Sequence, residues 1–212
     1  MARPARVSPD RILAAAAVEF AARGYAGARV DRIARRARVN KAMLYYHFHS
    51  KQGLYRALLR DTFGRAAERL QAIAASAAPP ADQLDRVITA IAGFVREQQF
   101  FSAIMLREIA ENGAHLDAAT LEALARLPRI VGGVIQRGID EGAFGPVHPL
   151  AAYFSMLAPM VVYFAGAPIR RRLAARRLVN GRPIDDDVFI QHVQDTMRRA
   201  LARDDGGPRA KR

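Results

Sequence analysis

Apolar side chains recur at three- and four-residue intervals along most of this 212-residue chain, the spacing of helices that bury one face. Ser8, Pro9 and Asp10 open the first run with a capping oxygen, a ring that presets the first-turn φ, and a negative charge at the positive helix end. Ile12, Leu13, Ala16 and Phe20 then share a face, and Gly24 offers a left-handed stop, so this helix is expected to end near Arg23. A short second helix is predicted over 31–36, with Ile33, Ala34 and Ala37 facing the first and Ala34 small enough for a close crossing. The third begins at Asn40, a strong N-cap type, and is expected to bury Leu44 and Phe48, with Val39 plugging the turn before it.

Past Ser50 the punctuation is regular: Pro79 and Pro80, Asn112 and Gly113, the stretch 142–149, and 180–183. These breaks predict helices over 51–76, 82–98, 100–111, 118–141, 149–174 and 185–203. There is no alternating strand pattern and no internal repeat, so the fold class is all-α. An N-terminal three-helix helix-turn-helix DNA-binding domain (1–50) is expected to precede a larger C-terminal helical domain for effector binding and dimerisation (51–204), with 205–212 a disordered tail. Residues 1–7 and 204–212 are expected to be disordered.

The segment 24–54, GYAGARVDRIARRARVNKAMLYYHFHSKQGL, carries the chemistry. In a helix-turn-helix the second helix lies in the major groove with its N-terminal residues on base edges, while flanking groups bind phosphate. The exposed residues would be Lys41, Ala42, Tyr45, Tyr46 and His47. Lys41 can donate to guanine O6 and N7, Ala42 and the Tyr45 ring can touch a thymine methyl, and Tyr46 and His47 can donate to phosphate oxygens. Lys51 stands near the start of the next helix, where its ammonium and free backbone N–H groups suit the same phosphate. Taken singly, Tyr45 and Tyr46 suit packing equally well and Lys51 suits a solvated surface; their shared motif is what favours DNA.

These residues resemble the N-terminal signature of the TetR family of bacterial transcriptional regulators. The matching positions include Gly24, Tyr25, Ile33, Ala34, Ala37, Val39, Leu44, Tyr45, Phe48, Ser50, Lys51 and Leu54, over roughly the first quarter of the chain. Three departures stand out. The family's paired Thr/Ser is Ala28 and Arg29, which removes a hydroxyl cap and leaves Arg29 to make the phosphate contact. The turn glycine is Arg38, where a left-handed conformation costs about 1–2 kcal/mol. The early glycine of the reading helix is Ala42, so no relative's operator sequence can be borrowed. The resemblance implies a homodimer on a palindromic DNA operator. It also implies a small-molecule effector in the second domain, and a four-helix dimer seam built here from 149–174 and 188–201.

Charge sharpens this picture. The formal net charge is +13, and residues 1–60 hold thirteen Lys/Arg against Asp10, Glu19 and Asp31, a net of +10 that leaves +3 for the remainder. Such a patch attracts polyanions through counterion release. Only Lys41, Lys51 and Lys211 are lysines, which reads as genomic codon bias, so the position of the charge argues more strongly than its total. The absence of cysteine excludes disulfides and is compatible with the cytoplasm expected for this protein. No secretory signal is read at the start of the chain.

The uncharged stretch 150–169, followed by three arginines, meets the length of a membrane span, but Pro159, Gly166, Pro168 and many alanines favour a buried core and dimer seam. A basic amphipathic protein on an anionic membrane is accordingly the alternative function. A largely apolar effector chamber is suggested by Phe94, Phe100, Phe101 and Met105, and by Phe154, Met156, Met160, Tyr163 and Phe164. Polar fixtures could come from Gln98, Gln99, Arg107, Glu108 or His115. Each is more often ordinary core or a paired charge, so no ligand residue is assigned. His47 and His49 do not share a helix face and have no carboxylate beside them, so no metal and no cofactor are expected. No nucleophile–base motif or phosphate-cradling loop is present, and the chain is not expected to be an enzyme.

Overall fold

The structure, a computed structural model, describes residues 8–98, 100–179 and 184–203. The expected disordered ends, the break at 180–183 and the polar fixture Gln99 lie outside them. Among the described residues there are ten helices and no strand, as the all-α reading requires. They are α1 (Pro9–Gly27), α2 (Val30–Ala37), α3 (Lys41–Phe48), α4 (Lys51–Ala74), α5 (Pro80–Glu97), α6 (Phe101–Ala110), α7 (Ala118–Asp140), α8 (Pro149–Ala165), α9 (Ala167–Ala175) and α10 (Asp186–Leu201). The chain forms two compact units, Met1–Arg65 with Gln98–Leu124, and Ala66–Glu97 with Ala125–Arg212.

In the first unit, the Ser8 side chain accepts from the Asp10 N–H, with Pro9 at the helix start. Ile12, Leu13, Ala16 and Phe20 are buried as their spacing predicts. The helix does not end at Arg23: it breaks at Gly24 (φ 68, ψ 175) and resumes for one turn to Gly27. A positive φ is cheap only without a Cβ, so the glycine bends the helix where a stop was expected. Ile33, Ala34 and Ala37 close α2 against α1, and Leu44 anchors α3, while Phe48 is only half-buried. Leu54, Tyr55, Leu59 and Phe63 of α4 and Ile104 of α6 complete this core.

The second unit packs α5 against α8 and α10. Leu84, Val87 and Ile88 of α5, Met156 and Met160 of α8 and Val193 of α10 are buried there. Gln83, wholly buried, donates to the Ser76 carbonyl at 2.6 Å and accepts from Arg137, so its amide is satisfied. One helix predicted over 149–174 is two, α8 and α9, meeting at a 54° bend. Gly166 and Pro168, the latter at the start of α9 with no N–H to continue the hydrogen bonding of α8, explain the break. Among the described residues no single helix is long and apolar enough to cross a membrane; only the bent α8–α9 pair passes on length and composition.

Candidate nucleic-acid interface

The geometry of α3 is set by its two ends. Asn40 caps α3, its Oδ1 accepting from the Met43 N–H at 2.7 Å. Just before it Arg38 is left-handed (φ 52, ψ 47), the conformation its family-position glycine would adopt. Arg11 of α1 helps hold that turn, donating from Nε to the Ala37 carbonyl at 2.9 Å. At the far end, the Ser50 hydroxyl accepts from the Gly53 N–H at 2.9 Å and caps α4. A Cβ on Gly53 would lie 2.1 Å from the Phe48 carbonyl oxygen, so the approach of α3 to α4 requires glycine there.

With Leu44 inside, α3 turns two large side chains outward: Tyr45 is 41 % exposed and Tyr46 77 %, with Ala42 also exposed. An exposed, adjacent tyrosine pair is a poor way to stabilise a fold and a good way to touch a ligand. Lys41 is exposed but engaged, its Nζ 2.9 Å from Asp31 Oδ1. The hydrogen bond from Lys41 and then its charge hold the Asp31 carboxyl below its ordinary range, and the same pairing raises the Lys41 ammonium. His47 is half-buried against Tyr46, with ring centroids 5.2 Å apart. Lys51 donates to the Ala26 carbonyl at 3.1 Å and sits 4.8 Å from the Tyr25 ring centroid, which fastens α4 to the end of α1. Two ammonium protons remain for other acceptors. The Arg29 side chain is exposed and caps nothing, while its backbone N–H donates to Glu19 Oε1 at 3.3 Å.

Two features had little sequence signal. Glu19, buried on α1, brings its carboxylate to the start of α2, where the helix dipole favours it. As a single acid on an amphipathic helix it is unremarked by any motif. Arg23, Arg32, Arg35 and Arg36 line an open groove between α1 and α2. The spacing of Arg32, Arg35 and Arg36 places them on one face, which the sequence does disclose. Behind the head lies a buried polar network. The Tyr55 hydroxyl donates to Glu108 Oε1 at 2.7 Å, and His115 Nδ1 lies 2.8 Å from the same oxygen. Burial, then the Glu108 hydrogen bond, pushes the Tyr55 phenol far above its usual range.

Comparison with known proteins bears directly on this head. The family described as bacterial regulatory proteins, tetR family, matches residues 12–58, the span from α1 into α4. The HTH-type transcriptional repressor SCO4008 of Streptomyces coelicolor is 45 % identical over 58 residues, 27 % of this chain and 30 % of that protein. The HTH-type transcriptional repressor NicS of Pseudomonas putida is 24 % identical over 157 residues, 73 % of this chain and 74 % of its own. Among solved structures, the regulator FadR from Bacillus subtilis, in complex with stearoyl-CoA, superposes with a TM-score of 0.75. It is 17 % identical, covering 92 % of this chain and 100 % of its own. Residues 12–58 are thus similar to the DNA-binding head of the TetR family, and the chain spans under a third of the length of SCO4008 in that match. These likenesses do not favour the membrane-surface alternative.

The three departures from the TetR signature now have places. Ala28 is buried, so its methyl replaces a hydroxyl where solvent does not reach. Arg38 keeps the left-handed backbone of the missing glycine. Ala42 is exposed on α3.

Proposed function

We propose that this protein is a ligand-responsive repressor of the TetR family that binds a palindromic operator as a homodimer in the cytoplasm, and has no catalytic activity. The division of labour proposed is reading by 1–50 and effector binding and dimerisation by 51–204. The observation that carries the reading role is the exposed Tyr45–Tyr46 pair on a helix rigidly capped at Asn40. Lys41, Ala42 and Tyr45 face base edges, and Arg29, Tyr46, His47 and Lys51 face phosphates. Lys41 reaches a base by exchanging Asp31 for a guanine acceptor.

Support for a second copy comes from α8 and α10. Leu150, Phe154, Ala158 and Val162 form an exposed row at four-residue intervals, with Phe154 55 % and Val162 61 % exposed. The apolar face expected on α10 divides: Val193, Met197 and Leu201 are buried in their own chain, while Val188, 60 % exposed, His192 and Thr196 face outward. Phe189 belongs to the inner group, stacked on Tyr163 at 3.9 Å.

The effector is proposed to be a largely apolar small molecule, on the strength of the likeness to a fold that in FadR holds stearoyl-CoA. Of the chamber residues read from the sequence, Phe94, Met156, Met160 and Tyr163 are buried within the second unit, where Phe164 is half-buried and Phe154 exposed. Effector affinity for a DNA-incompatible conformation would set the response.

Genome-wide selection of bound DNA fragments tests the reading, with a symmetric half-site expected. On that site, Lys51→Ala should weaken binding to all sequences and lower the salt slope by about 1, while Lys41→Ala relaxes preference at one base pair. Equal salt slopes for both proteins count against the phosphate role of Lys51. Flotation with anionic vesicles in the absence of duplex preference would overturn the DNA reading.

A further inference from the structure

Three groups that the DNA-reading face does not use converge inside the first unit. Glu108, Glu111 and His115 each offer one ligand atom, and these atoms lie within 4.8 Å of one another. The two glutamates, three residues apart at the end of α6, share a helix face. Asn112 and Gly113, both at positive φ (55 and 69), then turn the chain back on itself. That return brings His115 Nδ1 to 2.8 Å from Glu108 Oε1 and 3.4 Å from Glu111 Oε2. Arg56 of α4 holds the turn, its Nε donating to the His115 carbonyl at 3.0 Å. Glu108 is 2 % exposed, and while its Oε1 accepts from Tyr55, its Oε2 has no hydrogen-bond partner. A buried carboxylate oxygen without a donor is costly, and a cation is one group that satisfies it.

We propose that Glu108, Glu111 and His115 bind a divalent first-row transition ion of the zinc class. Imidazole and carboxylate donors without thiolate suit such an ion, and the chain has no cysteine. Ligand atoms at tetrahedral zinc, each about 2.0–2.1 Å from the metal, stand about 3.3 Å apart. His115 Nδ1 and Glu111 Oε2 already have that separation, and Glu108, whose Oε1 now lies 2.8 Å from Nδ1, has to rotate its carboxylate to present the donorless Oε2 while Oε1 stays with Tyr55. On binding, the metal takes the place of the Nδ1 proton, and three protein ligands leave a position for water or a small ligand. Magnesium and calcium ask for more oxygens than converge here.

The site touches the parts that position the head. The Tyr25 ring centroid lies 3.9 Å from that of His115, Lys51 sits over Tyr25, and Tyr55 donates to Glu108. Occupancy therefore acts on the junction of α1 with α4, and its effect on operator affinity rests on the DNA-reading role proposed above.

The test uses the full chain, stripped with a chelator and titrated with Zn2+ in the absence of DNA. One ion per chain is expected, and Co2+ should give the visible bands of a four- or five-coordinate site. Glu111→Gln, which alters the most exposed ligand, should lower Zn2+ affinity at least about tenfold with unchanged circular dichroism. Absence of a stoichiometric site in the wild type, or equal affinity in Glu111→Gln, overturns the proposal. In a separate gel shift, added Zn2+ should change wild-type operator affinity about tenfold and leave Glu111→Gln unmoved, a 1.4 kcal/mol coupling. Unchanged DNA affinity with intact Zn2+ uptake overturns the coupling alone. Loss of all duplex preference with intact uptake overturns the DNA reading and not the ion site.

Discussion

Two regions of this molecule show large apolar side chains to water, and they differ in what surrounds them. On α3, Tyr45 and Tyr46 carry hydroxyls and stand among Lys41, His47 and Arg29. On α8, Leu150, Phe154 and Val162 are pure hydrocarbon in a helix without a single charged residue. The first combination suits a polyanion with flat bases, because cations meet phosphate while rings meet base edges. The second suits only another apolar face, and a second copy supplies one by symmetry. Exposure alone says that a surface is unfinished; its polar companions say what finishes it.

Separating the two jobs of α3 should give the largest effect. Leu44→Ala removes the one buried anchor and is expected to cost about 2–5 kcal/mol in thermal or denaturant unfolding. Tyr46→Ala, exposed, should stay within about 0.5 kcal/mol of wild type in the same assay. Its operator affinity should nonetheless fall about tenfold, since ring and hydroxyl contacts to DNA are lost. Equal losses of stability in the two variants would show that Tyr46 is a packing residue.

Next comes the hydrocarbon row. Phe154→Glu with Val162→Glu should raise the dimer dissociation constant at least about 100-fold, or about 2.7 kcal/mol, by sedimentation. An unaltered dimer would place the seam elsewhere. Gly53→Ala should cost about 1–3 kcal/mol, because its methyl must displace the Phe48 carbonyl at the α3–α4 joint. No change in melting temperature would mean that the joint yields easily.

The smallest effect expected is that of pH. Asp117 accepts from the Thr120 hydroxyl and N–H, which together with nearby Arg56 and Arg60 depress its carboxyl. A folded-state value below the unfolded one means that the stabilisation is present above the ordinary aspartate range, about pH 4, and is lost as pH falls through the depressed value. Asp31, depressed by its hydrogen bond from Lys41, follows the same sign. Asp117→Asn should therefore flatten the acid limb of the melting curve, and an unchanged limb would assign acid sensitivity to other carboxylates.

Much of the head was legible from one sequence because its signals are local. Ser8, Asn40 and the Leu44 periodicity act within a turn or two of the residue concerned, and the structure has each in its expected place. Glu19 and the Arg11 contact with the Ala37 carbonyl were not legible, since each bridges residues far apart in sequence. The same reason hides the Glu108 network, although Glu108, Glu111 and His115 lie within eight positions. Whether His115 returns to the glutamates depends on two positive-φ residues and on Arg56 from another helix.

On its own, then, the order of residues determined an all-helical chain, a capped reading helix and the concentration of charge at one end, since periodicity, capping and charge are properties of neighbours. Only the tertiary structure decided that 149–174 bends at Gly166, that the α10 face splits between its own core and an open side, and which oxygen of Glu108 is left without a donor. Those outcomes depend on which distant surfaces exclude water from one another, and no local rule specifies that.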